Sequence, residues 1–206
     1  MSSIVIVDYD AGNIGSVANI CKKAGGSAEI SADPERIAAA SKLILPGVGH
    51  FGRSMERLNA SGIRAALDAA KDRGAPILGI CLGMQLLTSH SEEGDADGLG
   101  WIDAETREFR LPPPLKVPHM GWNDVEFTRP DPIIQGLEDE ARFYFVHKYY
   151  VEARDETAVL GRTDYGGPFV SVVQAGNVWG FQCHPEKSHR YGLQVIRNFI
   201  EKVPAL

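Results

Sequence analysis

Short continuous apolar runs alternate with stretches of helical periodicity from the start of the chain to about His90. Residues 4–7 (Ile-Val-Ile-Val) predict a buried strand that ends in Asp8-Tyr9-Asp10-Ala11-Gly12-Asn13. Ile14, Val17, Ile20, Cys21 and Ala24 then share one helical face, and Gly25-Gly26 stops that helix. A short strand follows over residues 28–30. Asp33-Pro34 opens the next helix, with Asp as N-cap and Pro at the first helical position. Residues 43–45 form the next buried strand, which runs straight into Pro46-Gly47-Val48-Gly49; helices are expected near 55–58 and 63–70, ending near Gly74. Residues 77–80 are again a buried strand and end on Cys81, after which Leu82, Met84, Leu86 and Leu87 begin a helical pattern. Strands alternating with helices predict right-handed βαβ crossovers and a mostly parallel sheet. In such sheets chemistry collects at the carboxyl ends of strands, where Asp10, Pro46 to Gly49 and Cys81 all fall.

Beyond His90 the pattern changes. Residues 91–98 are acidic and contain glycine, which predicts a surface loop. Strand-like runs follow at 101–106, 125–128, 142–151, 157–161, 169–174 and 178–183, with turns at Gly166-Gly167 and Gly176-Asn177 and a stiff loop at Pro112-Pro113-Pro114. A closing amphipathic helix over residues 192–202 is expected to bury Leu193, Ile196, Phe199 and Ile200. No repeat or linker divides the chain, so residues 1–206 are expected to form a single domain. The second half should add partly antiparallel strands to the same sheet.

Composition narrows the class. The 206 residues are 44% hydrophobic and 23% charged, enough for one α/β domain with a full core. A net charge of −6 without a basic block argues against a nucleic-acid partner, and no apolar run is long enough for a membrane span. The start of the chain lacks signal-peptide flanks. Cys21, Cys81 and Cys183 lie far apart, an odd number without a CxxC pair, so a disulfide framework or zinc site is not expected and the compartment implied is the cytoplasm.

Cys81 stands out for its surroundings. It sits where a strand turns into a helix, flanked by Gly79 and Gly83, the thiol counterpart of a nucleophile elbow, with the helix dipole favouring the thiolate. The alternative is a small apolar cysteine of the core. Near the end of the last strand-like run comes Gln182-Cys183-His184-Pro185-Glu186-Lys187-Ser188, where a His two residues before a Glu suits a general base and the carboxylate that orients it. Alone, that tripeptide more often marks a solvated surface loop, and it gains weight only beside the Cys81 elbow and the Gly-rich strand end. Cys21 belongs to a helix face and Cys183 alternates into the sheet. His50, His90, His119, His147 and His189 share no metal spacing and are read as loop or packing residues, so neither a metal nor a nucleotide is expected.

These residues carry a resemblance. Gly79-Ile80-Cys81-Leu82-Gly83-Met84-Gln85 together with Gln182-Cys183-His184-Pro185-Glu186 resembles the class I (triad) glutamine amidotransferases. Asp8-Tyr9, Gly12-Asn13, Leu45 to Gly49, Lys116 to Asn123, Phe143 to His147 and Thr163 to Gly166 extend it over nearly the whole chain, toward the branch that serves as glutaminase subunit of imidazole glycerol phosphate synthase. The resemblance implies a flavodoxin-like, mostly parallel central sheet flanked by helices, and hydrolysis of L-glutamine to glutamate and ammonia without a cofactor. It implies Cys81 as nucleophile, His184 as base and Glu186 as its orienting acid. The backbone of Val48 and Leu82 would form the oxyanion hole, and Gly47, Gln85, Lys148 and Tyr149 would bind glutamine. Asn13, Met120, Trp122, Asn123, Tyr144 and Lys187 would meet a (β/α)8 cyclase in a heterodimer, where the ammonia closes an imidazole ring in histidine biosynthesis; Trp122 and Tyr144 fit a core role as well.

Two features depart from that branch. Lys148 stands where a small hydroxyl residue is usual, and Gly98 to Asp103 with Ser188 to Gly192 resembles a paralogous glutaminase that supplies ammonia for amidino groups on bacterial surface sugars. A non-catalytic relative would have lost Cys, His or Glu, and all three are present. A thiol peptidase of the same fold is disfavoured by Gln85 and the Pro46 to Gly49 loop, which suit a free amino acid.

Overall fold

The computed structural model describes residues 4–137 and 141–204. Its first part traces β1 (Ile4–Val7), α1 (Ile14–Lys23), β2 (Ala28–Ser31), α2 (Pro34–Ala39), β3 (Lys42–Gly47), α3 (Phe51–Ala60), α4 (Ile63–Asp72), β4 (Ile77–Cys81) and the single-turn α5 (Leu82–Gln85). Then come β5 (His90–Ser91), β6 (Ala96–Asp97), β7 (Ala104–Glu108), β8 (His119–Asp124), β9 (Glu126–Phe127), β10 (Arg142–His147), β11 (Tyr149–Ala153), β12 (Val159–Asp164), β13 (Pro168–Ala175), β14 (Val178–Phe181) and α6 (His189–Glu201).

The main sheet runs β2-β1-β3-β4-β14-β13-β11-β7-β5-β6. Its first five strands are parallel, and antiparallel pairings begin where β14 meets β13. This is the flavodoxin-like order of a doubly wound sheet, extended as expected by strands from the second half. Both faces are covered, and period two sorts the side chains. Val5 and Val7 join the cluster under α3 and α4, whereas Ile4 and Ile6 join the one under α1 and α6. Local signals behave as read: Asp33 caps α2 by accepting the Glu35 N–H at 2.9 Å, with Pro34 at its first position.

Several expectations change. The single run expected over 142–151 is two strands in two sheets. β10 pairs only with β8, as a separate antiparallel ribbon, and after Lys148 the chain joins the main sheet as β11. Residues 91–98 form part of a short hairpin, β5 with β6, at the sheet edge rather than a bare loop. The first strand of the second half starts at Ala104, and β8 occupies a segment whose periodicity signalled nothing. The last helix begins at His189, and its buried face is Val195, Ile196, Asn198 and Phe199, with Leu193 and Ile200 only partly covered.

One buried cation organises the end of the fold. Lys42, at the first position of β3, is 1% exposed, and its ammonium donates to the carbonyls of Phe199 (2.7 Å), Ile200 (2.8 Å) and Val203 (2.5 Å). It thus closes the C-terminal carbonyls that α6 cannot satisfy internally, while burial lowers its pKa. Lys42→Met keeps most of the volume but strands those acceptors. The expected cost is about 3 kcal/mol, read as a lower urea midpoint; an unchanged midpoint would show that water replaces the ammonium.

Candidate active site

Cys81 ends β4 with φ 55° and ψ −110°, a positive-φ conformation that few non-glycine residues adopt and that costs about 1–3 kcal/mol. The surroundings hold it there. Gly83 presses its backbone onto β3 so closely that a β-carbon would lie 1.8 Å from the Leu45 carbonyl oxygen. The helix expected after Cys81 is shorter than its pattern implied. The Leu86 carbonyl accepts from the Leu99 N–H (2.8 Å), and the Leu87 carbonyl accepts from Trp101 (2.9 Å) and Ile102 (3.1 Å), so no further turn forms. A single turn has a small dipole; what it offers the sulfur is mainly the N–H groups of its own start, Leu82 first.

His184 and Glu186 follow β14, the parallel neighbour of β4. The His184 Nδ1 lies 2.7 Å from Glu186 Oε1, and both side chains are buried. The same carboxylate oxygen accepts from Asn13 Nδ2 at 2.5 Å. Asn13, expected on the partner face, is thus turned inward onto the acid, and its side chain makes no cap bond to α1. His184 Nε2 has no hydrogen-bond partner among the described residues. Burial would lower the His184 pKa, but the Cys81 sulfur and the Glu186 carboxylate outweigh it and raise the value to about 10. The protonated form of the imidazole is therefore favoured beside the Cys81 sulfur. The other thiols differ. Burial pushes Cys21 up to about 12 and Cys183 well above the ordinary range, and neither lines the pocket described next.

That pocket, of about 300 Å³, opens above Cys81 and His184. Val48, Leu82, Gln85, Lys148, Tyr149 and Lys187 line it, as does Glu93, which the sequence reading passed over. The Glu93 carboxylate also accepts the Phe51 N–H at 2.8 Å, tying the hairpin to the start of α3. Gly47, expected as a glutamine ligand, is not on the wall. It pairs with Cys81 across β3 and β4 and is packed against the Gly83 backbone. Lys148 sits at the pivot between β10 and β11; its ammonium is 2.7 Å from Glu108 Oε1, a bond that raises its pKa, and 5.5 Å from the centre of the Tyr149 ring.

The ribbon of β8 and β10 presents Met120 (62% exposed) and Trp122 (39%) outward, with Tyr144 and Val146 opposite them and Val48 nearby at 38%. Trp122 stacks on His189 (5.4 Å between centroids), so it is supported on one face and open on the other. Lys187 is exposed, while Asn123 is half-buried and donates to the Asp164 carbonyl at 2.8 Å. Behind the ribbon lies a buried histidine pair, His119 Nδ1 to His147 Nε2 at 3.0 Å, with His147 Nδ1 2.7 Å from the Tyr149 carbonyl. The carbonyl can only accept, so His147 is protonated on Nδ1 and accepts from His119. Packing was the expected role, and His147 also forms part of the pocket wall.

Burial lowers the pKa of His119 to about 4 and of His147 to about 3. The unfolded chain binds protons on both below about pH 6.5 while the folded chain does not, so stability is full above that pH and falls as pH drops. By pH 5 the loss should reach about 2 kcal/mol per histidine, measurable as a falling urea midpoint before carboxylates titrate. His184 works the other way: its raised folded pKa gives stability that is full below about pH 6.5 and fades as pH rises toward about 10, so between pH 7 and pH 5 it offsets a smaller part of the loss. A midpoint flat between pH 7 and pH 5 would show the pair to be charged or solvated.

The model for glutamine amidotransferase class-I matches residues 5–203, and this chain belongs to that family. It is 46% identical over 201 residues to imidazole glycerol phosphate synthase subunit HisH 2 of Pseudomonas aeruginosa, covering 97% of this chain and all of that one. To subunit HisH of Moorella thermoacetica it is 48% identical over 204 residues, covering 98% and 96%. Among solved structures, a glutamine amidotransferase superposes with a TM-score of 0.73 at 21% identity (96% and 97% covered). A putative GMP synthase subunit from Thermoplasma acidophilum gives 0.71 at 20% (97% and 93%). At those identities the likeness is one of fold. No helix among the described residues is long and apolar enough to cross a membrane.

Proposed function

We propose that this chain is the glutaminase subunit of an imidazole glycerol phosphate synthase, hydrolysing L-glutamine and passing the ammonia to a (β/α)8 cyclase in histidine biosynthesis. The observation that carries the reading is the buried Glu186–His184 pair, with its free imidazole nitrogen, on the wall of the pocket that Cys81 enters. The Pseudomonas and Moorella relatives named above, both subunits of that synthase, support the acceptor pathway.

The chemistry follows from the side chains. The Cys81 thiolate attacks the carboxamide carbon of glutamine, and charge collects on its oxygen. The N–H groups of Leu82 and Val48 are the donors for that oxyanion. His184 gives its proton to the departing nitrogen, ammonia leaves, and a glutamyl thioester remains. Water then loses a proton to His184 and attacks the thioester, releasing glutamate and restoring the thiolate–imidazolium pair. Glu186, fixed by Asn13, keeps the imidazole oriented and offsets its charge. The Glu93 carboxylate and the Lys148 and Lys187 ammonium groups offer both signs of charge to the amino-acid end of the substrate. The ribbon face bearing Met120 and Trp122 is the surface for the barrel, since apolar side chains this exposed are what an interface covers.

Glutamate release tests the reading. The chain alone should turn over slowly, and adding the histidine-pathway cyclase should stimulate it strongly. Stimulation only by a barrel that works on surface sugars would move the chain to the paralogous branch. Fast turnover by the isolated chain would remove the need for a partner, and no glutamate under any pairing would overturn the mechanism.

A further inference from the structure

Gln182 touches both the candidate nucleophile and Gln85 of the pocket wall, one residue beyond β14, with its side chain fully buried. Its Oε1 is 3.0 Å from Gln85 Nε2, and its own Nε2 is 3.8 Å from Cys81 Sγ. Which end of each amide faces where follows from one fixed group. Gln85 Nε2 is also 3.0 Å from the Tyr149 backbone carbonyl, which can only accept. Gln85 must therefore point its NH₂ there, and the same NH₂ reaches Gln182. Gln182 must answer with its oxygen, which leaves its NH₂ aimed at the sulfur. Flipping Gln85 would set its oxygen against two acceptors, and flipping Gln182 would set two NH₂ groups against each other, inside a buried site.

We infer that Gln182 is a further catalytic residue, an oriented amide donor that stabilises the Cys81 thiolate. An N–H aimed at sulfur strengthens when the sulfur is charged, so the bond favours the ionised form that attacks. The donor is held by Gln85, a wall residue of the substrate pocket, and through it by the Tyr149 carbonyl that His147 also contacts. The nucleophile is thus tuned from the substrate side as well as by His184. The inference rests on Cys81 being the nucleophile.

The test is the pH dependence of Cys81 alkylation by iodoacetamide, followed by mass spectrometry of the Cys81 peptide, in wild type and Gln182→Met. The methionine keeps volume and removes the donor. The midpoint should rise by about one unit, a tenfold loss of thiolate at fixed pH. Partner-stimulated kcat should fall about tenfold at neutral pH, with KM for glutamine nearly unchanged. A purely structural role would lower the melting temperature and leave the alkylation midpoint in place, and that result would overturn the inference. Should Gln182→Met not fold, Gln85→Met decides: it frees the Gln182 amide to turn, and its midpoint must also rise. Alkylation reads the thiolate whether or not glutamine is turned over. A wild type without glutaminase activity would sink the proposed function, whereas an unshifted midpoint would sink only this assignment.

Discussion

Cys81→Ala will release glutamate about 10⁴-fold more slowly than wild type when both are saturated with the barrel partner, yet bind glutamine about as well. The substitution removes the proposed nucleophile, the group that forms the covalent bond in the mechanism above. It leaves the pocket wall of Gln85, Tyr149 and Glu93 intact, along with the N–H groups at Leu82 and Val48. His184→Ala should match it, because an imidazole without a sulfur and a sulfur without an imidazole are equally idle. The double variant should fall no further than either one alone. Alanine at 81 meets the same φ of 55° as cysteine, so stability should hardly move. Cys81→Gly would relax that conformation and raise the urea midpoint while remaining inactive, which separates strain from chemistry. Glutamate assays, glutamine titration and unfolding on the same preparations check each part; activity in Cys81→Ala above about a hundredth of wild type would place the nucleophile elsewhere.

Gly83→Ala will cost more folding stability than any exposed substitution, at least about 3 kcal/mol. Alanine ordinarily improves a helical position by about 1 kcal/mol, so the sign itself is diagnostic. The reason is the 1.8 Å approach to the Leu45 carbonyl oxygen, a backbone atom inside β3 that has no rotamer to adopt. Relief requires β3 and α5 to separate, which also moves Gly47 and Val48 away from Cys81. Gly15→Ala, at an exposed position of α1, is the matched control. Its β-carbon meets nothing within 4 Å, and it should gain about 0.5–1 kcal/mol. Equal urea midpoints for the two variants would mean that the elbow can open at no cost.

Much of this fold was legible because its first half obeys period rules. Residues 77–81 are apolar without a break because both faces of a central parallel strand are covered, and the Asp33-Pro34 pair states a helix start outright. The candidate site was legible where chemistry needs rare combinations, as at Cys81 between glycines and at His184-Pro185-Glu186. What escaped depends on partners distant in sequence. Residues 142–151 form one unbroken strand pattern, and nothing in that pattern records that pairing switches from β8 to β7 at Lys148. The length of α5 is decided by Leu99, Trp101 and Ile102 capturing its carbonyls. Asn13 looked like a surface residue of a loop because its partner, Glu186, lies far along the chain. Lys42 lies just before the strand expected at 43–45, and its role appears only once the last carbonyls of α6 arrive over it. Gln182 and the His119–His147 pair acquire meaning only once the direction of each hydrogen bond can be traced.

The ribbon bears on the site in one further way. The His184 N–H donates to the Tyr144 carbonyl at 2.9 Å. The Tyr144 N–H donates to the Ser188 hydroxyl at 3.0 Å, and that hydroxyl donates back to the His184 carbonyl at 2.6 Å. The two candidate reacting groups are therefore surveyed from different benchmarks, the sulfur from the deep parallel sheet and the imidazole in good part from a two-stranded outrigger. The gap between them is a clearance between two assemblies. Like any such clearance, it is the dimension in the molecule that responds most directly to a load laid on the outrigger.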